Sequence, residues 1–548
     1  MQHHSAGDLL KAEGLYRQIL DVDPDQPVAL NLLGVVAYQV GQSDVAKDLI
    51  SKAITVKPDY VEAHSNLGLV LLELGNPDEA VVQFQKAITL SPNYAEAHNN
   101  LGNALKDLEQ LDEAIIHYRK AIDINSGYAE AHYNLGVALQ KSGHLNEAVT
   151  SYNDAIGINP DTADLHYNLA TALSELERWE DAATSYGKAI DIQPDYSDAY
   201  NNLGGVLLEL NRLGDAKAVF DQLFRLQHGG KWWNAANFTE GDSGPHEPHG
   251  ETPSVSVFKL RDTIDQLEHL IAKGKIDPSF IQMIDRYRSV LTEIQQSLGS
   301  ARLDKLTPEQ FSRIEPFYSR VIHYVDQPRI SSGAVNKSLD FETIEDSYFS
   351  SPVSITTLDN FLTPEALSSL RDFCLESTLY FDQPGPAYIG AMMARGFNCD
   401  LLYQIAEELK ACFPRVIGDQ ELGNMWVYRH GNQSEGVAAH TDEGSVTFNF
   451  WITPDEANLD TDSGGLIVYA KDQPYDWDWG RYNALQNTPT IKQEIADFLS
   501  DAETVTIPHR QNRALLFHSN LFHKSDRVNF RDGFENRRMN VTLLFGKR

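Results

Sequence analysis

Apolar and small residues follow three patterns in succession along the chain. In the first 227 residues a Leu-Gly pair recurs with a fixed period, so that Gly34, Gly68, Gly102, Gly136, Ala170 and Gly204 stand 34 apart. Small residues keep that register at Ala12, Ala46, Ala80, Ala114, Ala148, Ala182 and Ala216, and again at Ala53, Ala87, Ala121, Ala155 and Ala189. Pro24, Pro58, Pro92, Pro160 and Pro194, with Ser126 once in their place, close the units. Two paired helices need small side chains where they touch, and proline stops the second of them. The second pattern runs over 256–298. Leu260, Ile264, Leu267 and Ile271, then Phe280, Ile284, Tyr287, Leu291 and Ile294, fall at helical spacing among charged residues. Thr307-Pro308-Glu309 opens a further helix reaching about Tyr324. The third pattern is a set of short β-branched and aromatic runs at 424–429, 445–453, 464–469, 503–507, 513–517 and 538–545, broken by Gly, Pro, Asp and Asn. These runs predict an antiparallel sandwich or barrel.

The 34-residue pattern resembles the tetratricopeptide repeat (TPR). Half a unit over 6–22 and six full units would make residues 1–227 an α-helical solenoid with a concave inner face. Two residues before each Gly or Ala stands an asparagine: Asn66, Asn100, Asn134, Asn168 and Asn202, with Leu32 the exception. On the concave face such a column forms a ladder of amides suited to the backbone of an extended polypeptide. The array resembles the TPR superhelix of the O-linked GlcNAc transferases, which implies a protein or peptide partner in the groove. The alternative is that each asparagine caps a neighbouring turn. His64, His98, His132 and His166 also recur. Equivalent atoms of successive repeats lie on the order of 10 Å apart, too far to share an ion bonded at about 2 Å. These histidines are expected to pack between helices, as Tyr200 does at the same offset.

Within the third pattern, His440-Thr441-Asp442 and His523 supply two imidazoles and a carboxylate, the donor set of the facial triad of non-haem Fe(II) oxygenases. His440 and Asp442, two apart in an extended segment, point the same way, and a neighbouring strand can bring the third ligand. The last run opens with Arg538-Met539-Asn540. A guanidinium there suits the far carboxylate of a keto acid. In this order the elements resemble those of the Fe(II)/2-oxoglutarate dioxygenase superfamily, over about 355–545 with a helical lead-in at 362–374. The resemblance implies a double-stranded β-helix (jelly roll), with His440, Asp442 and His523 on Fe(II) and 2-oxoglutarate and O₂ as co-substrates. It also implies that Arg538, aided by Asn540 and Tyr428, holds the far carboxylate. Asn540 stands where Ser or Thr is usual, and the insert at 529–536 leaves Arg537 and Arg527 as substitutes. His518 is the rival distal ligand. Retention of Asp442 favours hydroxylation over halogenation.

Length and charge refine this picture. The 548 residues suit two or three domains. The expected organisation is multidomain α + β: solenoid 1–227, a Gly-, Pro- and acid-rich linker 228–254, a helical bridge 255–330 and the jelly roll 346–548. The net charge of −33 argues against nucleic acid or anionic membrane as partners. Cys374, Cys399 and Cys412 are too few for a disulfide framework, and no run is apolar enough for a membrane span or a signal peptide. A cytoplasmic setting is expected. Asp460–Gly464 starts like a calcium loop, but Lys471 stands where an EF-hand needs Glu. The insertion around Trp477 and Trp479 is either a lid or a flap anchored by its tryptophans. The expected function is a dioxygenase that hydroxylates a protein or peptide side chain delivered by the repeats. The alternatives are a small-molecule oxygenase with the repeats as assembly scaffold, and a non-enzymatic scaffold with an inactive jelly roll.

Overall fold

The structure, a computed structural model, describes residues 8–228, 252–298, 303–315, 318–434, 436–474, 477 and 488–547. The chain divides into two units, 1–199 and 200–548. Most of the 228–254 segment and of the tryptophan insertion lies outside the described residues.

The first unit is a run of antiparallel helix pairs. After a lone helix, Leu9–Val22, they are Pro27–Gln39 with Ser43–Val56, Val61–Glu73 with Pro77–Leu90, Ala95–Asp107 with Leu111–Ile124, Ala129–Lys141 with Leu145–Ile158, and Ala163–Glu175 with Trp179–Ile192. The periodic glycine has a steric cause. A Cβ at Gly68 would stand 2.5 Å from the ring of Phe84, one at Gly102 2.6 Å from Tyr118, and one at Gly136 2.6 Å from Tyr152. The missing side chain lets an aromatic ring of the second helix lie against the first helix's backbone, and all three rings are fully buried. The histidine column is explained in the same way. Nε2 of His64, His98, His132 and His166 donates to the carbonyls of Pro58, Pro92, Ser126 and Pro160 at 3.0, 3.1, 3.1 and 2.8 Å. Each imidazole ties its helix to the preceding turn, and Tyr200 is buried at the equivalent place.

The second unit begins inside the helix Ser197–Glu209 and takes in Leu213–His228. By this division the last repeat groups with the C-terminal part of the chain. The reason is Phe224, 1% exposed, which lies 6.1 Å from Phe381. Asn398 also donates to Asp221 at 3.0 Å. The helices Val257–Ala272, Ile281–Leu298 and Pro308–Ile314 share a core built from Leu260, Ile264, Leu267, Ile284, Tyr287 and Ile294. Ser256 caps the first, and Thr307 and Gln310 form a capping box on the third. Beside them β1 (Ser254–Ser256) pairs with β2 (Leu303–Lys305).

The remaining strands are β3 (Ile355–Asp359), β4 (Asp382–Gly385), β5 (Tyr388–Met392), β6 (Leu422–His430), β7 (Gln433–Ser434), β8 (Val446–Trp451), β9 (Leu466–Asp472), β10 (Thr504–Ile507), β11 (Arg513–His518), β12 (Leu521–Ser525), β13 (Val528–Asn529) and β14 (Met539–Phe545). They form an antiparallel seven-stranded sheet ordered β3-β11-β8-β14-β6-β5-β4, a three-stranded sheet β10-β9-β12 and the pair β13-β7. The lead-in helix is Pro364–Glu376, capped by Thr363. Arg429, on the other face of β6 from Tyr428 and His430, pairs with Asp262 at 2.9 Å, and Arg537 pairs with the same carboxylate at 2.6 Å. These buried ion pairs bind the three-helix cluster to the large sheet.

Candidate metal centre

β12 and the segment before β8 meet through a single antiparallel bridge. His440 N donates to His523 O at 3.0 Å, and His523 N donates to His440 O at 2.9 Å. The bridge brings the two rings to a centroid separation of 4.3 Å. Two residues on, Asp442 N donates to Ser519 O at 3.1 Å, which turns its carboxylate toward the same point. His440 Nε2 lies 3.8 Å from Asp442 Oδ1, and His523 Nε2 lies 3.5 Å from Asp442 Oδ2. Both fall within the roughly 4 Å that two metal bonds of about 2.1 Å can span. The three ligand atoms all lie within 4.8 Å of one another, the one such His/Cys/Asp/Glu cluster among the described residues.

The tautomers suit a cation. Nδ1 of His440 lies 2.8 Å from Ala438 O, and Nδ1 of His523 lies 3.1 Å from Leu521 O. A carbonyl only accepts, so each Nδ1 carries the proton and each Nε2 keeps its lone pair for the centre. Burial pushes His523 down to about 4, against the pull of Asp442. Thr447 Oγ donates to Asp442 Oδ2 at 2.8 Å and is itself 2.9 Å from Ser519 Oγ, so the carboxylate is held from behind. Phe517 packs edge-on against His523 at 4.9 Å.

The cleft over this cluster encloses about 310 Å³, open solvent included; Trp426, Tyr428, Asn449, Asn540 and Thr542 of the large sheet form one wall. Bonded to Asn540 of that wall, but not itself part of the lining, is Arg538, 0% exposed. Its Nε bonds Gly464 O at 2.5 Å, its Nη2 Gly465 O at 3.0 Å, and its Nη1 Asn540 Oδ1 at 3.0 Å. These partners are neutral, and burial brings the guanidinium down to about 9, only partly countered by Asp526. Asn540 Oδ1 is also 3.2 Å from Nε2 of the buried His430. Burial raises the Tyr428 hydroxyl, and its ring stands against Tyr388 at 5.4 Å.

The rivals fall away on geometry. Arg537 faces Asp262 and Asp265 among the helices, and Arg527 is exposed. His518 ends β11 outside the cluster. Trp477 packs on Phe498 at 5.0 Å and on Phe522 at 6.2 Å, as an anchor would. The asparagine column is more engaged than a free ladder. Nδ2 of Asn66 donates to Asn31 at 3.1 Å, and Nδ2 of Asn134 to Asn99 at 3.0 Å. Asn168 donates to its own helix at Asp164 O, 2.8 Å, and reaches Tyr133 at 3.4 Å. Asn202 accepts from Asn201 at 3.4 Å, and Asn100 is half-buried. Asn66, Asn134 and Asn168 tie consecutive repeats, a role the residue one position earlier in the preceding repeat makes possible. Sequence reasoning passed over Asn449, Thr542, Trp426, His430 and His509. For Asn449, Thr542 and Trp426 the only signal was a polar or aromatic residue alternating inward on a predicted strand; His430 and His509 lie just beyond the predicted runs.

Two buried histidines away from the triad carry a pH dependence. Burial, reinforced by Arg538 and Arg513 and opposed by the Thr453 carbonyl, pushes His509 down to about 3. Burial and Arg538 push His430 well below 6.5. Both stay neutral in the folded state while the unfolded chain binds protons near pH 6.5, so stability is lost as pH falls from about 6.5 toward 3. Each contributes a slope of up to about 1.4 kcal/mol per pH unit. Urea denaturation at pH 7, 6 and 5 should show the midpoint of the β-rich unit falling, and His509→Phe should flatten the fall. A slope identical in that variant would contradict the assignment.

Residues 70–108, 102–143, 141–176 and 172–211 match the family model described as TPR repeat, and residues 197–227 match that described as tetratricopeptide repeat. The N-terminal region carries tetratricopeptide repeats. No curated protein matches the chain. Similar solved structures include MamA, 26% identical over 30% of this chain and 95% of that one, with a TM-score of 0.28. YrrB, described as a TPR protein with an unusual peptide-binding site, is 24% identical over 34% of this chain and 96% of its own, with a TM-score of 0.31. TTC0263, a TPR protein of Thermus thermophilus, is 24% identical over 33% of this chain and 99% of its own, with a TM-score of 0.29. Among the described residues no helix is long and apolar enough to cross a membrane.

Proposed function

We propose that this chain is an Fe(II)- and 2-oxoglutarate-dependent dioxygenase of double-stranded β-helix fold, acting on a protein or peptide side chain that its repeats recruit. One observation carries the reading. Two imidazole Nε2 lone pairs and one carboxylate converge on a cleft whose wall includes Asn540, and Asn540 is bonded to a buried guanidinium that has no carboxylate partner among the described residues. The donor set fits Fe(II), and the guanidinium fits the far end of a dicarboxylic keto acid.

In this reading His440, Asp442 and His523 would hold the metal. The carbonyls of Ala438 and Leu521 fix the imidazole tautomers. Thr447 holds Asp442 Oδ2 and leaves Oδ1 for the ion. Fe(II) bound there supplies O₂ activation, with oxidative decarboxylation of 2-oxoglutarate to succinate and CO₂ coupled to hydroxylation. Arg538 receives the far carboxylate, and Asn540 sets the plane of its guanidinium. Tyr428 and Trp426 line the approach.

The repeats support a protein or peptide partner, since stacked helix pairs present an extended concave surface. With the amides of Asn66, Asn134 and Asn168 bonded within the array, backbone gripping by the column requires those ties to be exchanged on binding. The deciding experiment is an anaerobic titration of the Fe(II)-loaded protein with 2-oxoglutarate, followed by admission of O₂. A visible charge-transfer band should grow with the keto acid, and succinate should form after O₂ enters. Absence of both the band and succinate would overturn the reading.

A further inference from the structure

Asn449 sits in the middle of β8, at the centre of the seven-stranded sheet, and faces the triad cleft. It is 5% exposed. Its Nδ2 donates to Thr542 Oγ at 2.7 Å, and its Oδ1 is buried with no partner. An unsatisfied carboxamide atom in a sheet core is costly, and a ligand in the cleft is a direct means of satisfying it.

Its position says which ligand. Two residues before it on β8 stands Thr447, which holds Asp442; two residues before its partner Thr542 on β14 stands Asn540, which holds Arg538. Asn449 and Thr542 are paired across the strands. A two-residue step is roughly 7 Å along a strand. The pair therefore lies about one such step from the triad's support and one from the guanidinium's. A molecule reaching from the metal to Arg538 passes over it.

A keto acid offers only acceptors to this wall, whereas the unpartnered atom is also an acceptor. Exchanging the carboxamide O and N removes the mismatch with no change of shape. Thr542 Oγ–H then donates to Asn449 Oδ1, and Asn449 Nδ2 donates outward. Resting on the dioxygenase reading above, we propose that Asn449, backed by Thr542, is a binding residue for the keto-acid co-substrate, donating to its carboxylate–keto end.

The test is calorimetric titration of 2-oxoglutarate into the full-length protein loaded with Mn(II), in wild type, Asn449→Leu, Asn449→Asp and Thr542→Val. Asn449→Leu should weaken 2-oxoglutarate by roughly ten- to a hundredfold while Mn(II) affinity stays within about threefold. Asn449→Asp, of the same shape but acceptor-only and anionic, should weaken it further, and Thr542→Val less than either. The anaerobic Fe(II) charge-transfer band should shift in Asn449→Leu, which a purely structural residue would not cause. Wild-type affinity for 2-oxoglutarate in the folded Asn449→Leu protein overturns the inference and leaves the dioxygenase reading standing. Failure of the Mn(II)-loaded wild type to bind 2-oxoglutarate overturns both.

Discussion

His523→Ala should leave a folded protein that no longer binds Mn(II) or Fe(II) at concentrations saturating the wild type, and His440→Ala should do the same. In the proposed centre each imidazole would supply one of only three protein bonds to the ion, so its loss would leave a two-ligand site. The expected fall in affinity is at least several hundredfold, since even loss of a group that merely orients a ligand costs roughly 10- to 100-fold. His523 is buried and packs against Phe517, so truncation also leaves a small cavity. That costs on the order of 1–3 kcal/mol, which circular dichroism and a melting curve separate from the metal effect. His518→Ala is the control, because His518 ends β11 outside the cluster. Metal binding lost in His518→Ala and kept in His523→Ala would refute the assigned ligand set.

The meeting of His440, Asp442 and His523 was legible in the sequence because the chemistry expected there needs particular atoms. His, Cys, Asp and Glu supply most metal ligands, and the two-residue step in an extended segment already aims His440 and Asp442 together. The repeats were legible for a different reason: one packing solution is used again and again, so the glycine that admits Phe84, Tyr118 or Tyr152 returns in register. Edge strands were not. β4, at the edge of the large sheet, and its neighbour β5 hold Gly385, Gly390 and a proline, so they carry no strong β signal. The partners of the asparagine column were hidden too. Asn31, Asn99 and Tyr133 share a column in which Ser65 also occurs, and nothing in one repeat reveals which residue of the next its amide will meet. The contact of Phe224 with Phe381 joins residues more than 150 apart, and no local pattern encodes it.

Arg538→Met should abolish tight 2-oxoglutarate binding while sparing the metal. In the structure the guanidinium is wholly buried and bonded to two carbonyls and a carboxamide, which accept hydrogen bonds without neutralising charge. Burying a cation this way is unfavourable by itself, and burial accordingly lowers its pKa. A carboxylate arriving from the cleft removes that penalty and gains charge-assisted hydrogen bonds, so the partner-present value of the arginine is roughly 2–5 kcal/mol. That corresponds to a loss of about thirtyfold to several thousandfold in 2-oxoglutarate affinity. Absolute stability is a poor readout, because the variant both relieves an unpaired charge and strands the carbonyls of Gly464 and Gly465. The shift that 2-oxoglutarate itself produces is the clean one. With Mn(II) present, the wild-type melting temperature should rise with keto-acid concentration, and that of Arg538→Met should not. Arg538→Lys should recover part of the shift, since an ammonium keeps the charge but loses the fork that holds Gly464 and a carboxylate together. An Arg538→Met protein that melts early yet binds 2-oxoglutarate at wild-type affinity would make Arg538 a clamp on the Gly464–Gly465 turn and nothing more.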